Sequence, residues 1–305
     1  MKKIDFHAHY LTPSYKAFLQ RHGADAGIPD WNAEIQLKCQ RDIDVHYALL
    51  GISTPYFYAG NIDETAQTVR ANNDEAAQAL QGHENDFGFL AALPLPDAAL
   101  SLLELDRAMA LGAKGITFCT NAGGVYLGHP SLEPIMARMN DLGCIASVHP
   151  TRPTAIPSGV LDDFRIQALE FFFDTTRAFI NMSRNLVFSR YPDIRWIFPH
   201  AGALVPVISD RVLSSFRMEG RGADLIGDMA RVYYDVAGPA EPKLLGLLKM
   251  VAPIGHILYG SDGPYAKPHE VERYARILEE TDHLTPAEKE LVFYQNGAAL
   301  LGMNP

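Results

Sequence analysis

The chain is short of basic charge, of cysteine and of long apolar runs. Its 26 lysines and arginines stand against 36 aspartates and glutamates, a formal charge of −10. No basic cluster stands out, so nucleic acid and anionic membrane are poor partners. The three cysteines (Cys39, Cys119 and Cys144) are odd in number, sit in apolar settings and form no Cys-x-x-Cys pair. They read as buried free thiols of a reducing compartment, not as a disulfide framework. No run of about 20 apolar residues could span a bilayer. Met1-Lys2-Lys3 passes directly into a strand pattern, so no signal peptide is expected and the cytoplasm is the default location. No Gly-x-Gly-x-x-Gly follows a strand, which removes the main sign of a dinucleotide fold.

What is present is ordinary globular composition: 305 residues, 48% hydrophobic and 20% charged. Strand-like runs are expected at 2–7, 46–53, 87–93, 115–119, 144–149, 194–199, 231–236 and 256–260. Several are near-continuous apolar runs, as parallel strands buried on both faces require. Helical patterns alternate with them, with Asp63 to Gly82, Asp97 to Gly112 and Ser131 to Gly143 as start and stop signals. Thr285-Pro286-Ala287-Glu288 reads as a capping box. Eight βα units predict a distorted (β/α)8 barrel over residues 1–305 as one domain, with a doubly wound open sheet as the alternative. Residues 10–33, 120–130 and 150–163 each follow a strand C-terminus and are too long for plain connections, so they are expected to wall or lid a pocket.

The expected strand ends carry the chemistry. The first ends in His7-Ala8-His9, a spacing that lets two imidazoles share one face. The fifth ends at His149, the sixth is followed by Pro199-His200-Ala201-Gly202, and the eighth by Gly260-Ser261-Asp262-Gly263-Pro264. In a barrel these ends share one mouth. Four histidines and an aspartate in that position suit zinc or another divalent transition ion. The other seven of the 11 histidines sit in helices, loops or strand starts and read as surface or structural. His129, in a long loop over the mouth, is the one that stays of interest.

Taken together, Asp5-x-His7-x-His9, the fifth-strand His149, Pro199-His200-Ala201-Gly202 and Gly260-Ser261-Asp262-x-Pro264 resemble the amidohydrolase superfamily. More narrowly, the chain is similar to the amidohydrolase-related branch that holds the aminocarboxymuconate-semialdehyde, resorcylate, methylsalicylate and carboxyvanillate decarboxylases. Phe173-Asp174-Thr175-Thr176-Arg177, the 190–195 stretch and Asn296-Gly297-Ala298 extend the resemblance over essentially the whole chain. It implies one metal ion on His7, His9, His149 and Asp262, with His200 beside it as an acid, base or water-orienting residue. Binuclear relatives carry a carboxylated lysine at the end of the fourth strand, whereas this strand ends Phe118-Cys119-Thr120 and Lys114 lies at its other end. The resemblance also implies a homodimer in which Arg211 can reach the neighbouring site. Gln36 stands where the aminocarboxymuconate enzyme has an arginine, which argues against that substrate. Arg177 and Phe173 are further substrate-binding candidates, although Arg177 also reads as an i, i+3 partner of Asp174. Tyr10, Tyr56 and Phe57 are other rings that could face an aromatic substrate.

These residues support metal-dependent, non-oxidative decarboxylation of a small aromatic or muconate-like acid, with Zn expected and Mn possible as the metal. His200 and Asp262 would handle the proton, His200 as a switch because an unperturbed imidazole titrates near 6.5. The alternative is hydrolysis of a lactone, amide or ester by water activated at the same ligands. A structural metal fits less well, because such sites usually close with four protein ligands and favour cysteine.

Overall fold

Eight parallel strands follow one another around a sheet whose spatial order is the chain order. In the computed structural model, which describes residues 1–220 and 222–303, they are β1 (Lys3–His9), β2 (Val45–Gly51), β3 (Phe87–Ala91) and β4 (Gly115–Cys119). The others are β5 (Ile145–His149), β6 (Arg195–Phe198), β7 (Tyr233–Asp235) and β8 (Ile257–Leu258). The first and last strands meet through an Ala8–Gly263 bridge rather than a regular ladder. Phe6 N–H donates to Tyr259 O at 2.9 Å, and Asp262 N–H donates to His7 O at 2.7 Å. The result is the distorted (β/α)8 barrel, with helices outside it. Among the described residues no helix is long and apolar enough to cross a membrane.

The expected element boundaries hold to within a few residues, and the differences have local causes. The Ile62–Ala79 helix is capped by Asn61, not Asp63, because the Asn61 carboxamide oxygen accepts from the Asp63 and Glu64 N–H groups. It stops before Gly82. Asp97 caps the Ala98–Ala110 helix, and the Thr285 capping box forms as expected. Ser131 lies within a 3-10 turn capped by His129, which places that histidine in a helix start rather than in the mouth. Cys119 and Cys144 are buried and Cys39 only half-buried, all three as free thiols.

One irregularity decides what the barrel can do. Strict alternation from Ile4 would place His7 and His9 on the opposite face from Ile4 and Phe6. Ile4 and Phe6 pack with Tyr47, Leu49, Leu90, Ile145, Ile197 and Leu258, side chains contributed by five other strands to the barrel interior. The β1–β2 register slips between Asp5 and Ala8: Asp5 pairs with Ala48, but Ala8 pairs with Leu50. Three residues on β1 thus span two on β2, a bulge that changes the parity of the strand. Phe6 closes the interior and His7 and His9 line the cavity just above it.

Asp5 clamps the bulge. Its Oδ1 accepts from the N–H groups of His7 and Ser261, both at 3.0 Å. Burial pushes its pKa up, and the two N–H donors, which need an accepting oxygen, work against that rise. Replacing it by alanine orphans two N–H groups, and we expect Asp5→Ala to lose about 2 kcal/mol in urea denaturation. Asp5→Asn, which keeps an oxygen acceptor, should lose much less; equal losses would show that the clamp is not the cause.

Close strand approach depends on glycine at one further point. A Cβ on Gly115 would lie 2.3 Å from Ile145 O in the β4–β5 pairing. Gly115→Ala should therefore destabilise the barrel by about 2 kcal/mol. Gly255→Ala, whose Cβ would meet nothing within 4 Å, should leave the denaturation midpoint near that of the parent chain.

Candidate metal centre

His7, His9, His149 and Asp262 bring one ligand atom each to within 4.8 Å of the others. The three imidazoles are oriented by a common device. His7 Nδ1 lies 2.9 Å from Asp235 Oδ2, His9 Nδ1 3.3 Å from Gly51 O and His149 Nδ1 2.7 Å from Pro150 O. Carbonyl and carboxylate oxygens only accept, so each Nδ1 is the protonated nitrogen and each Nε2 keeps its lone pair. Those lone pairs face one another and Asp262, whose Oδ1 is 3.3 Å from His9 Nε2 and 3.5 Å from His7 Nε2. His7 Nε2 is buried without a hydrogen bond among the described residues. An orphaned buried nitrogen beside two further imidazoles and a carboxylate is what a bound divalent cation satisfies, so the donor set fits a metal.

The electrostatics point the same way. Burial opposes charge on His7, yet the Asp235 and Asp262 carboxylates outweigh it and raise its pKa to about 9. A proton on His7 and a metal cation answer the same negative field. His149 is driven well below the ordinary histidine value by burial and then by its His9 and His7 neighbours. Asp262 is held far below the usual carboxylate range: loss of water works against this, and the hydrogen bond and charge of His9, with His7, prevail.

His200 stands beside this cluster, outside the four-residue set, with its ring 5.0 Å from His7 and stacked 6.0 Å from Phe172. Withdrawal from water, and next the charge on His7, lower its pKa to about 4. The sequence expectation of a switch near 6.5 ignores that environment. Strain collects around it: His200, Ala201 and Ala203 have φ of 55°, 55° and 54°, and Asp262 has φ of 62°. Left-handed backbone at non-glycine residues is costly and concentrates at functional sites.

Two residues escaped the sequence reading. Asp235, at the end of β7, is 1% exposed and accepts from the His200 and Ala237 N–H groups as well as from His7. An acid inside the apolar run Tyr233-Tyr234-Asp235-Val236 was the available signal. Ser53 Oγ lies 3.4 Å from His149 Nε2, a contact that no motif marks.

The substrate-binding candidates are dispersed. Arg211 is exposed on the Val205–Glu219 helix. Phe173 and Arg177 lie on the outer surface of the Ile166–Arg184 helix, with the guanidinium 6.0 Å from the Phe173 ring. Asp174 turns inward and is not paired with Arg177 as expected; it accepts from Thr120, Asn121 and Tyr126 and so ties the 120–130 loop down. The rings that face the histidines are Phe171, Phe172 and Tyr265. Tyr10, Tyr56 and Phe57 are core residues, and the two tyrosine hydroxyls donate to Leu90 O and Thr117 O. Of the three long segments, 120–130 and 150–163 line a cleft beside His149. Segment 10–33 instead buries Tyr15, Phe18 and Leu19 in the main core.

Residues 4–303 match the family model described as amidohydrolase. The chain is 29% identical to a 6-methylsalicylic acid decarboxylase of Penicillium expansum, over 98% of this chain and 95% of that one. A solved amidohydrolase II structure superposes with a TM-score of 0.96 at 36% identity, covering 99% of this chain and all of the other. A Polaromonas dihydroxybenzoic acid decarboxylase with bound manganese and 2-nitroresorcinol shares the fold, with a TM-score of 0.85 at 19% identity over 100% and 98% of the two chains.

Asp235 gives this geometry a direct check. Asp235→Asn leaves His7 free to rotate or to change tautomer, and partners of this kind are worth 10–100-fold in metal affinity. We expect chelator competition to show a loss of about tenfold or more, with the circular dichroism spectrum unchanged. Unaltered affinity would mean that Asp235 does not orient His7.

Proposed function

The chain belongs to the amidohydrolase family, and from that premise we propose that it is a metal-dependent carboxy-lyase that removes CO2 from a small aromatic acid without oxidation. The observation that carries this reading is the set of three Nε2 atoms and one carboxylate turned onto a single point inside the barrel mouth. The names of the decarboxylase relative and of the manganese-containing neighbour supply the reaction class. We take His7, His9, His149 and Asp262 as the ligands of one divalent ion, zinc or manganese, and residues 1–305 as one catalytic domain. A homodimer in the cytoplasm completes the proposal.

When bound, the ion supplies Lewis acidity and draws charge from an oxygen substituent of the acid. The chain's own residues do the rest. Phe171 and Phe172 form an apolar wall beside His149 and His200 that suits a flat ring. Either His200, outside the ligand set, or Asp262 delivers one proton to the ring carbon bearing the carboxylate. That group must first take the proton up, because both are held unprotonated near neutral pH in the substrate-free site. The bond to the carboxylate carbon then breaks, its electron pair restores the aromatic ring, and CO2 leaves. Asp235 keeps His200 and His7 in register through one carboxylate.

The test is metal-dependent CO2 release from a panel of hydroxybenzoates and muconate semialdehydes. Chelation should abolish release and added Zn or Mn should restore it, while His149→Ala should lose metal and activity together. Turnover of lactones or amides with no CO2 from any acid would overturn the reading, and full activity of His149→Ala would overturn the ligand assignment.

A further inference from the structure

We propose that Arg152 is the anion receptor of the cleft beside His149 and reads the carboxylate of the incoming acid; this rests on the carboxy-lyase reading above. The cleft holds about 350 Å³, room for a single-ring acid. It adjoins the candidate metal centre through the ends of β4 and β5, and none of the four proposed ligands lines it. Cys119 pairs with His149 across β4 and β5, Thr120 N–H donates to His149 O at 3.0 Å, and Thr151 follows two residues after His149. The tip of the 120–130 hairpin forms one wall, where a Cβ on Gly123 would lie 2.6 Å from Tyr58 Cε1.

The charge distribution makes the cleft selective. No carboxylate lines it, and Arg152, which also borders a neighbouring groove with Asp162, Arg165 and Glu170, is the one lining residue with a full charge near neutral pH. Burial pushes the Cys119 thiol up, so that group stays neutral. Among the described residues no acid or carbonyl pairs with the Arg152 guanidinium, whereas Arg107, Arg138, Arg184 and Arg190 each hold an acidic partner. In a chain of net charge −10, an unpaired arginine at the mouth is the local attraction for an anion. Its planar fork matches a carboxylate. Arg177 borders a separate groove between two helices and does not line this cleft. The consequence is discrimination along the reaction: the acid engages Arg152, and the decarboxylated product, lacking the anion, does not.

The test compares the metal-loaded parent enzyme with Arg152→Gln and Arg152→Lys. Dissociation constants are measured for a non-reacting aromatic carboxylate and for the matching phenol without the carboxylate. Arg152→Gln should weaken the carboxylate about tenfold or more and leave the phenol unchanged, with partial recovery in Arg152→Lys. KM for a reacting acid should rise more than kcat falls. Should the Gln variant fold poorly, a salt titration of the parent takes its place: carboxylate affinity should fall with ionic strength and phenol affinity should not. Equal carboxylate binding by parent and Gln variant, equal losses for both ligands, or salt-insensitive carboxylate binding would overturn the proposal. Arg152-dependent binding without CO2 release from any acid would instead sink the carboxy-lyase reading and leave the anion subsite standing.

Discussion

The geometry of the mouth depends on one carboxyl group. Asp5 accepts an N–H from the bulge in β1 and another from the turn after β8, so it closes the barrel and sets its parity at once. Below the bulge, Ile4 and Phe6 belong to the apolar interior; above it, His7 and His9 turn toward the same space. Without the extra residue the strand could serve only one of these purposes, because successive side chains alternate. The clamp also carries Asp262, since Ser261 is its neighbour and Asp262 N–H donates to His7 O at 2.7 Å. Three of the four proposed ligands, His7 and His9 on one side and Asp262 on the other, therefore flank one seam.

Around that seam the chain arranges acceptors before it arranges ligands. Asp235, Gly51 O and Pro150 O each take an Nδ1 proton, which leaves three Nε2 lone pairs aimed inward. None of these acceptors could be replaced by a donor without reversing a tautomer. The same arrangement explains the uneven titration of the histidines. His7, against Asp235, is pulled upward, whereas His149 and His200, with no such partner on their rings, are pushed down by burial and by charged neighbours. The left-handed backbone at His200, Ala201, Ala203 and Asp262 fits this picture, because it re-aims the chain at the two strand ends that hold the fourth histidine and the aspartate.

Most of the barrel was legible because buried parallel strands write themselves as apolar runs, and the strand ends wrote the histidines beside them. The bulge was not legible: His-x-His is the same text with or without a register slip, and only pairing with β2 shows it. Asp235 lay in plain sight as an acid in an apolar strand, yet its role needs the distance to His7, a residue 228 positions away. The arginines show the opposite failure. Motif likeness directed attention to Arg177 and Arg211 on exposed helices, while Arg152 follows an unremarked Pro-Thr pair after His149. Charge at a mouth is a property of what is absent nearby, and a sequence does not display absent neighbours. The Asn61 cap was missed for a smaller reason, since Asn61 and Asp63 are equally good caps and only backbone geometry chooses between them.

On the carboxy-lyase reading, the contrast between the cluster and the cleft follows from the chemistry. The three proposed histidine ligands are 3–7% exposed, and the apolar rings of Phe171 and Phe172 face His149 and His200. An aromatic carboxylate entering there exchanges hydration for fixed groups, and its decay to neutral CO2 and a protonated ring removes the charge that such a place holds poorly. An anion receptor is therefore more useful at the rim than in the depths. At the rim it draws in the acid from water and does not stabilise the carboxylate where the bond must break. Arg152 in the cleft, with no arginine or lysine among the residues that line the cavity around His7, His9 and His149, is that division of labour.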